Sequence, residues 1–177
     1  MIHRAIKFAA VAHKGQWRKG ARIPYIVHPF EVAQILTAMG ASEALIVAGL
    51  LHDTLEDTAT TPNELKEAFG ESVLRLVLSA TERKEDTWEE RKLHTIQFLK
   101  TEATYEQKQL ALADKLSNLR SIALDMDEFG DQLYEIFNRG KKKQHWYYKS
   151  LGESLQALND IVFYKEFCEL IEKVFEN

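Results

Sequence analysis

Residues 44–57 read Ala44-Leu45-Ile46-Val47-Ala48-Gly49-Leu50-Leu51-His52-Asp53-Thr54-Leu55-Glu56-Asp57. The run up to Leu51 is apolar on all sides, a pattern that predicts a buried helix. It is far shorter than the roughly 18 residues needed to cross a bilayer, so it belongs in a core. The polar end is the anomaly. Continued as a helix at about 100° per residue, His52, Glu56, Asp53 and Asp57 fall at roughly 0°, 40°, 100° and 140°, all within one arc. An imidazole and three carboxylates then converge where a buried helix ends. Buried charges are costly without partners, and the helix dipole disfavours anions at a C-terminus. A bound cation removes both penalties, so the stretch predicts a metal site.

Away from this stretch the helical period continues. All three prolines (Pro24, Pro29, Pro62) lie early, and beyond them apolar residues recur at spacings of three and four. Leu65, Ala68 and Phe69 form one stripe, and Leu110, Ala113, Leu116 and Leu119 another. Sustained polar/apolar alternation is lacking. The chain is therefore expected to be all-α, a compact single-domain helical bundle over 1–177, with a motif-bearing core at about 1–125 and a helical tail at about 126–177. Helices are expected near 2–14, 30–39, 42–52, 62–69, 71–80, 87–100, 104–125, 127–137, 144–158 and 160–175. Ser42 before Glu43 and Thr61 before Pro62 read as N-caps, and Gly40 and Gly70 as stops. The long irregular stretch Gly15–His28 holds the cations Arg18, Lys19 and Arg22.

Of 177 residues, 45% are hydrophobic and 28% charged, enough for one substantial core and incompatible with a disordered or collagen-like chain. The net charge is 23 − 27 = −4, which gives no basis for non-specific nucleic-acid binding. Phe8–Ala12 is too short for a signal-peptide core. The single cysteine, Cys168, fits a reducing compartment. A cytoplasmic protein with a small-molecule partner, and neither nucleic acid nor membrane, is expected.

Two elements can complete the metal site. His28 precedes Pro29, which sets it in extended backbone at the mouth of a helix. Asp114 sits inside the apolar helical segment Leu110–Leu116, with Asn118 one turn later on the same face. His28, His52, Asp53 and Asp114 make two nitrogens and two oxygens, suited to an octahedral borderline ion such as manganese or iron(II). Only His94 lies between His52 and Asp114, so one ion is expected rather than two. Asp114 could alternatively be a salt-bridge partner of Lys115 or Arg120. Trp146-Tyr147-Tyr148 reads as packing, and Trp17 as packing or a surface for stacking on a base.

The ordered set His28-Pro29, His52-Asp53-x-x-Glu56-Asp57 and Ala113-Asp114-Lys115-x-x-Asn118 resembles the HD-superfamily metal-dependent phosphohydrolases. Together with Ala12-His13-x-Gly15-Gln16-x-Arg18-Lys19 and Pro24-Tyr25-Ile26-x-His28, it looks most like the hydrolase domain of Rel/Spo alarmone enzymes and their small stand-alone relatives. The likeness covers roughly residues 5–125. It implies an HD-type helical fold and one manganese ion on His28, His52, Asp53 and Asp114. It also implies water activation or positioning by Glu56 and Asp57, and substrate contacts from Arg18, Lys19 and Asn118. The expected reaction is removal of the 3′-pyrophosphate from guanosine tetra- or pentaphosphate. Alternatives are an HD phosphatase acting on a nucleoside monophosphate or NADPH, and a nucleotide sensor without turnover. The chain departs from the long enzymes at Ser117, where they usually carry histidine, and at Thr81-Glu82, where they carry Thr-Lys.

Overall fold

A computed structural model describes residues 1–18, 23–82, 86–130 and 139–176. The helices are α1 (Ile2–Ala12), α2 (Val27–Ala38), α3 (Glu43–Leu51), α4 (Thr54–Asp57), α5 (Pro62–Phe69), α6 (Glu71–Ala80), α7 (Trp88–Thr101), α8 (Tyr105–Phe129), α9 (Gly140–Ser154) and α10 (Val162–Phe175). A 3-10 turn at Gln156–Leu158 joins the last two. Among the described residues there is no strand beyond one isolated bridge, Trp17 to Pro24, so the protein is all-α.

Local chemistry explains the boundaries. Thr61 accepts from the Glu64 N–H while the Glu64 carboxylate takes the Thr61 N–H, and the same reciprocal cap recurs at Thr87/Glu90 and Thr104/Gln107. Ser42 caps α3 by accepting from Leu45 N–H at 3.3 Å. Gly70, at φ 88°, ends α5 and admits α6 in a conformation that L side chains rarely adopt. Of the helix expected at 127–137, the first residues belong to α8 and residues 131–138 lie outside those described.

The core is organised round α3, whose residues from Leu45 to Leu51 are all buried. Helices α2, α3 and α8 pack on one another, with α1 and α6 on further sides of α3. Helix α10 lies along α8, and α9 rests against α10 and α7. Tyr147 and Tyr148 are buried in that layer, as expected, whereas Trp146 and Trp17 are 40% and 60% exposed. No described helix is long and apolar enough to cross a membrane.

The contact of α2 with α3 depends on Gly49. A Cβ there would stand 2.6 Å from Leu36 Cδ1 and 3.3 Å from Val32 Cγ1, and both neighbours are fully buried. Gly49→Val is expected to cost about 1–3 kcal/mol by overpacking. The measurement is a lowered urea midpoint at unchanged slope; an unchanged midpoint contradicts this close approach.

Two expectations need correction. His28, expected in extended backbone ahead of a helix from about 30, lies inside the first turn of α2. The helix expected at 42–52 is found as α3, but the helical arc drawn on through residues 52–57 is broken: α3 stops at Leu51, His52 and Asp53 form a turn, and α4 starts at Thr54. The Thr54 hydroxyl donates to the Leu51 carbonyl at 2.6 Å, taking an acceptor that the ladder would have used. Asp53, at φ −91°, ψ −6°, then receives the Asp57 N–H on its own carbonyl at 2.8 Å. The break matters because consecutive residues of an unbroken helix point about 100° apart. Across the turn, His52 and Asp53 converge.

Candidate metal centre

Each of the three mutually packed helices delivers a polar group to one point. His28 comes from the first turn of α2, His52 from the C-terminal end of α3, and Asp114 from the middle of α8. Both imidazoles are 2% exposed. His52 donates from Nδ1 to the Gly49 carbonyl at 2.9 Å. A carbonyl can only accept, so Nδ1 holds a hydrogen, and in the neutral ring it is Nε2 that offers a lone pair to a cation. That Nε2 is buried without a hydrogen-bond partner. Around it, Asp53 Oδ2 lies 3.0 Å from His52 Nε2 and 3.6 Å from His28 Nε2, while Asp114 Oδ1 lies 3.2 Å from His28 Nε2 and 3.7 Å from His52 Nε2. Atoms of His28, His52 and Asp114 all fall within 4.8 Å of one another, the compass of a metal site.

The residues fit a divalent cation. Adjacent ligands round an octahedral ion with bonds of about 2.1 Å are roughly 3 Å apart, close to the shorter of these separations. The donor set, two imidazole nitrogens and two carboxylate oxygens, suits a borderline or hard divalent ion. The local field is anionic. Burial alone would push His52 down, yet Asp53 and Asp114 outweigh it and hold the imidazole well above its ordinary range. His28 goes the other way, lowered by its burial. Burial opposes ionisation of Asp53, but His52 beside it holds this carboxyl far below the usual range; for Asp114 burial is likewise outweighed, by Lys115 and the imidazoles.

Asp114 is used on every side. Oδ2 pairs with Lys115 Nζ at 2.7 Å, and Oδ1 accepts from Asn118 Nδ2 at 2.7 Å while facing the imidazoles. The salt bridge to Lys115 and the approach to the histidines therefore coexist. Arg120 pairs elsewhere, with Glu31 and Glu166. Asn118 Oδ1 receives Arg18 at 3.2 Å, and Arg18 also donates to Ser121 Oγ at 3.0 Å. Arg18 and Asn118 are thus brought to the edge of the cluster. Lys19 and Arg22 lie outside the described residues.

Glu56 and Asp57 stand on α4. Glu56 accepts the Glu82 N–H at 3.2 Å, and burial pushes its carboxyl up. Asp57 is also pushed up, by burial and then by Asp53. Tyr25 joins it to the cluster: its hydroxyl donates to Asp53 Oδ2 at 2.6 Å and lies 3.3 Å from Asp57 Oδ2. Tyr25 and Lys115 are the site residues to which sequence reasoning gave no functional role. Their signal in the sequence is that both stand inside the quoted motifs, Tyr25 three residues before His28 and Lys115 next to Asp114. Asp114 and Lys115 also line a cavity that runs past Leu78, Thr81, Glu82 and Phe98 to His94, which is exposed. Glu82, the departure from the Rel/Spo pattern, is bound there by Arg91 at 3.1 Å and by Lys92.

Residues 5–139 match the model of the HD domain family. The chain is 42% identical over 121 residues to Homo sapiens guanosine-3′,5′-bis(diphosphate) 3′-pyrophosphohydrolase MESH1, covering 67% of each protein. It is 40% identical over 133 residues to the Aquifex aeolicus guanosine-3′,5′-bis(diphosphate) 3′-pyrophosphohydrolase, which is 72% of this chain and 18% of that one. In a Myxococcus xanthus GTP pyrophosphokinase, 51% identical over 81 residues (46% of this chain), it spans 11% of the length. It therefore corresponds to a small part of the long relatives. Among solved structures, a metazoan ortholog of SpoT described as hydrolysing ppGpp superposes with a TM-score of 0.80 at 25% identity, over 97% of this chain and 93% of that one.

Proposed function

The chain belongs to the HD domain family, and from that premise we propose that it hydrolyses guanosine tetra- or pentaphosphate to GDP or GTP and pyrophosphate. His28, His52, Asp53 and Asp114 would hold one ion, manganese in this reading, with iron(II) able to replace it. Bound there, the ion supplies Lewis acidity to the phosphoryl group and lowers the pKa of water towards neutrality. Glu56 orients the attacking water and Asp57 accepts its proton. The water oxygen bonds to the phosphorus carried by the ribose 3′-oxygen. The bond between them breaks, pyrophosphate departs with the new oxygen, and the ribose oxygen takes up a proton. Arg18 and Lys19 meet the phosphate charge that the acidic pair would otherwise repel, and Asn118 fixes Arg18 relative to Asp114. An unpaired Cys168 agrees with a cytoplasmic setting.

One observation carries this reading. The buried cluster is linked on one flank to Asp57 through Tyr25 and on another to Arg18 through Asn118. The test is a manganese-supplemented assay of the purified protein against ppGpp, pppGpp, a nucleoside monophosphate and NADPH, with products identified. GDP or GTP and pyrophosphate in equal amounts are expected. Orthophosphate from the last two substrates alone would make the protein a different phosphatase. Nucleotide affinity without turnover of any of the four would make it a sensor.

A further inference from the structure

Ser117 is fully buried and bonded on two sides. Its hydroxyl lies 2.8 Å from His28 Nδ1 and 2.8 Å from Glu31 Oε2. The other Glu31 oxygen accepts from Arg120 at 3.0 Å, and Arg120 in turn grips both carboxylate oxygens of Glu166, on α10, at 2.7 and 2.8 Å. Glu31 is one helical turn after His28 on α2, and Ser117 nearly one turn after Asp114 on α8, so this chain is built on the helices that carry two of the ligands.

The direction of every link is forced from the far end. Arg120 is a permanent cation that only donates, and the Glu31 carboxylate paired with it only accepts. Ser117 has a single hydroxyl hydrogen, and Glu31 takes it. Towards His28 that hydroxyl can then only accept. His28 Nδ1 must carry its hydrogen, which leaves the Nε2 lone pair aimed at Asp114 and Asp53. The Gly49 carbonyl sets the same tautomer at His52 with one acceptor. At His28 the job takes four residues, one of them from the last helix.

We propose that Ser117, Glu31 and Arg120 are a positioning relay that holds His28 as an Nε2 ligand, and that Glu166 anchors the relay to α10, making the C-terminal helix part of the metal centre's support. Partners behind a metal-ligating histidine typically contribute about 10–100-fold in metal affinity. The proposal rests on the metal-site reading above. The two are separated by titrating wild type, Ser117→Ala, Glu166→Ala and His52→Ala with manganese chloride against a competing chelating dye, and by melting each protein stripped and loaded with manganese.

Wild type is expected to bind one ion and His52→Ala none. Ser117→Ala is expected to bind it about 10–100-fold more weakly, with a smaller fall in melting temperature for the stripped protein than for the loaded one. Glu166→Ala, one link further out, is expected to weaken binding a few-fold. Wild-type affinity in Ser117→Ala overturns the relay alone. So does a fall in the melting point of stripped Ser117→Ala that matches the fall on loaded protein, since that marks a merely structural serine. A wild type that binds no manganese overturns the metal centre and the relay together.

Discussion

His52→Ala is expected to remove both bound metal and hydrolysis, the latter by about a thousandfold or more. A divalent ion contributes several kcal/mol of transition-state charge stabilisation, and each 1.36 kcal/mol is a factor of ten in rate, so losing roughly 4 kcal/mol gives that figure. His52 is the replacement with the fewest alternatives. Its Nε2 is buried without a hydrogen-bond partner and faces Asp53 Oδ2 at 3.0 Å and Asp114 Oδ1 at 3.7 Å. Alanine leaves two carboxylates facing each other with one fewer nitrogen to share a cation. Because the truncation also opens a hole beside Gly49, Asp53→Asn is the isosteric companion. It keeps the volume and an oxygen for the Tyr25 hydroxyl while discharging one ligand. Metal content by elemental analysis, steady-state rates and a circular dichroism melt together decide the point. Normal rates in either folded variant refute the assignment.

The second large effect is a separation of binding from turnover. Glu56→Gln and Asp57→Asn are expected to keep one ion per chain and lose about 10²–10⁴ in kcat, the usual worth of a positioned base, with KM nearly unchanged. Neither carboxylate comes within ion-pair range of the imidazoles, whereas Asp53 and Asp114 do. The Asp57 carboxylate meets the cluster through the Tyr25 hydroxyl, and Glu56 is held by the Glu82 backbone. Parallel titration and kinetics on both variants provide the measurement. Loss of the ion together with the rate would recast the pair as structural.

Much of this was legible in the residues because its causes are local. Thr61-Pro62 and Gly70 delimit α5 through a cap and a positive φ, and the apolar run before His52 marks the core helix. The gathering of His28, His52, Asp53 and Asp114 was also anticipated, since buried acids without partners are costly wherever they fall. What stayed hidden was set by distant contacts. Arg18 reaches Asn118 across a hundred positions of sequence, and Tyr25 reaches Asp53 across 28; no periodicity encodes either contact. The turn at His52-Asp53 escaped notice for a different reason. Both residues have near-helical dihedrals, and the departure depends on a hydroxyl of Thr54 taking the Leu51 carbonyl. Helix geometry placed the acids within one arc. The break is what turns Asp53 onto its own neighbour.

The most direct test strips the wild-type protein with a chelator, removes the chelator, and follows ppGpp hydrolysis as manganese is returned in known increments. Negligible turnover is expected at the start, then a linear rise to one equivalent per chain and a plateau beyond it, with GDP and pyrophosphate formed in equal amounts. Full activity before any metal is returned, or a plateau first reached at two equivalents, would contradict the single metal centre.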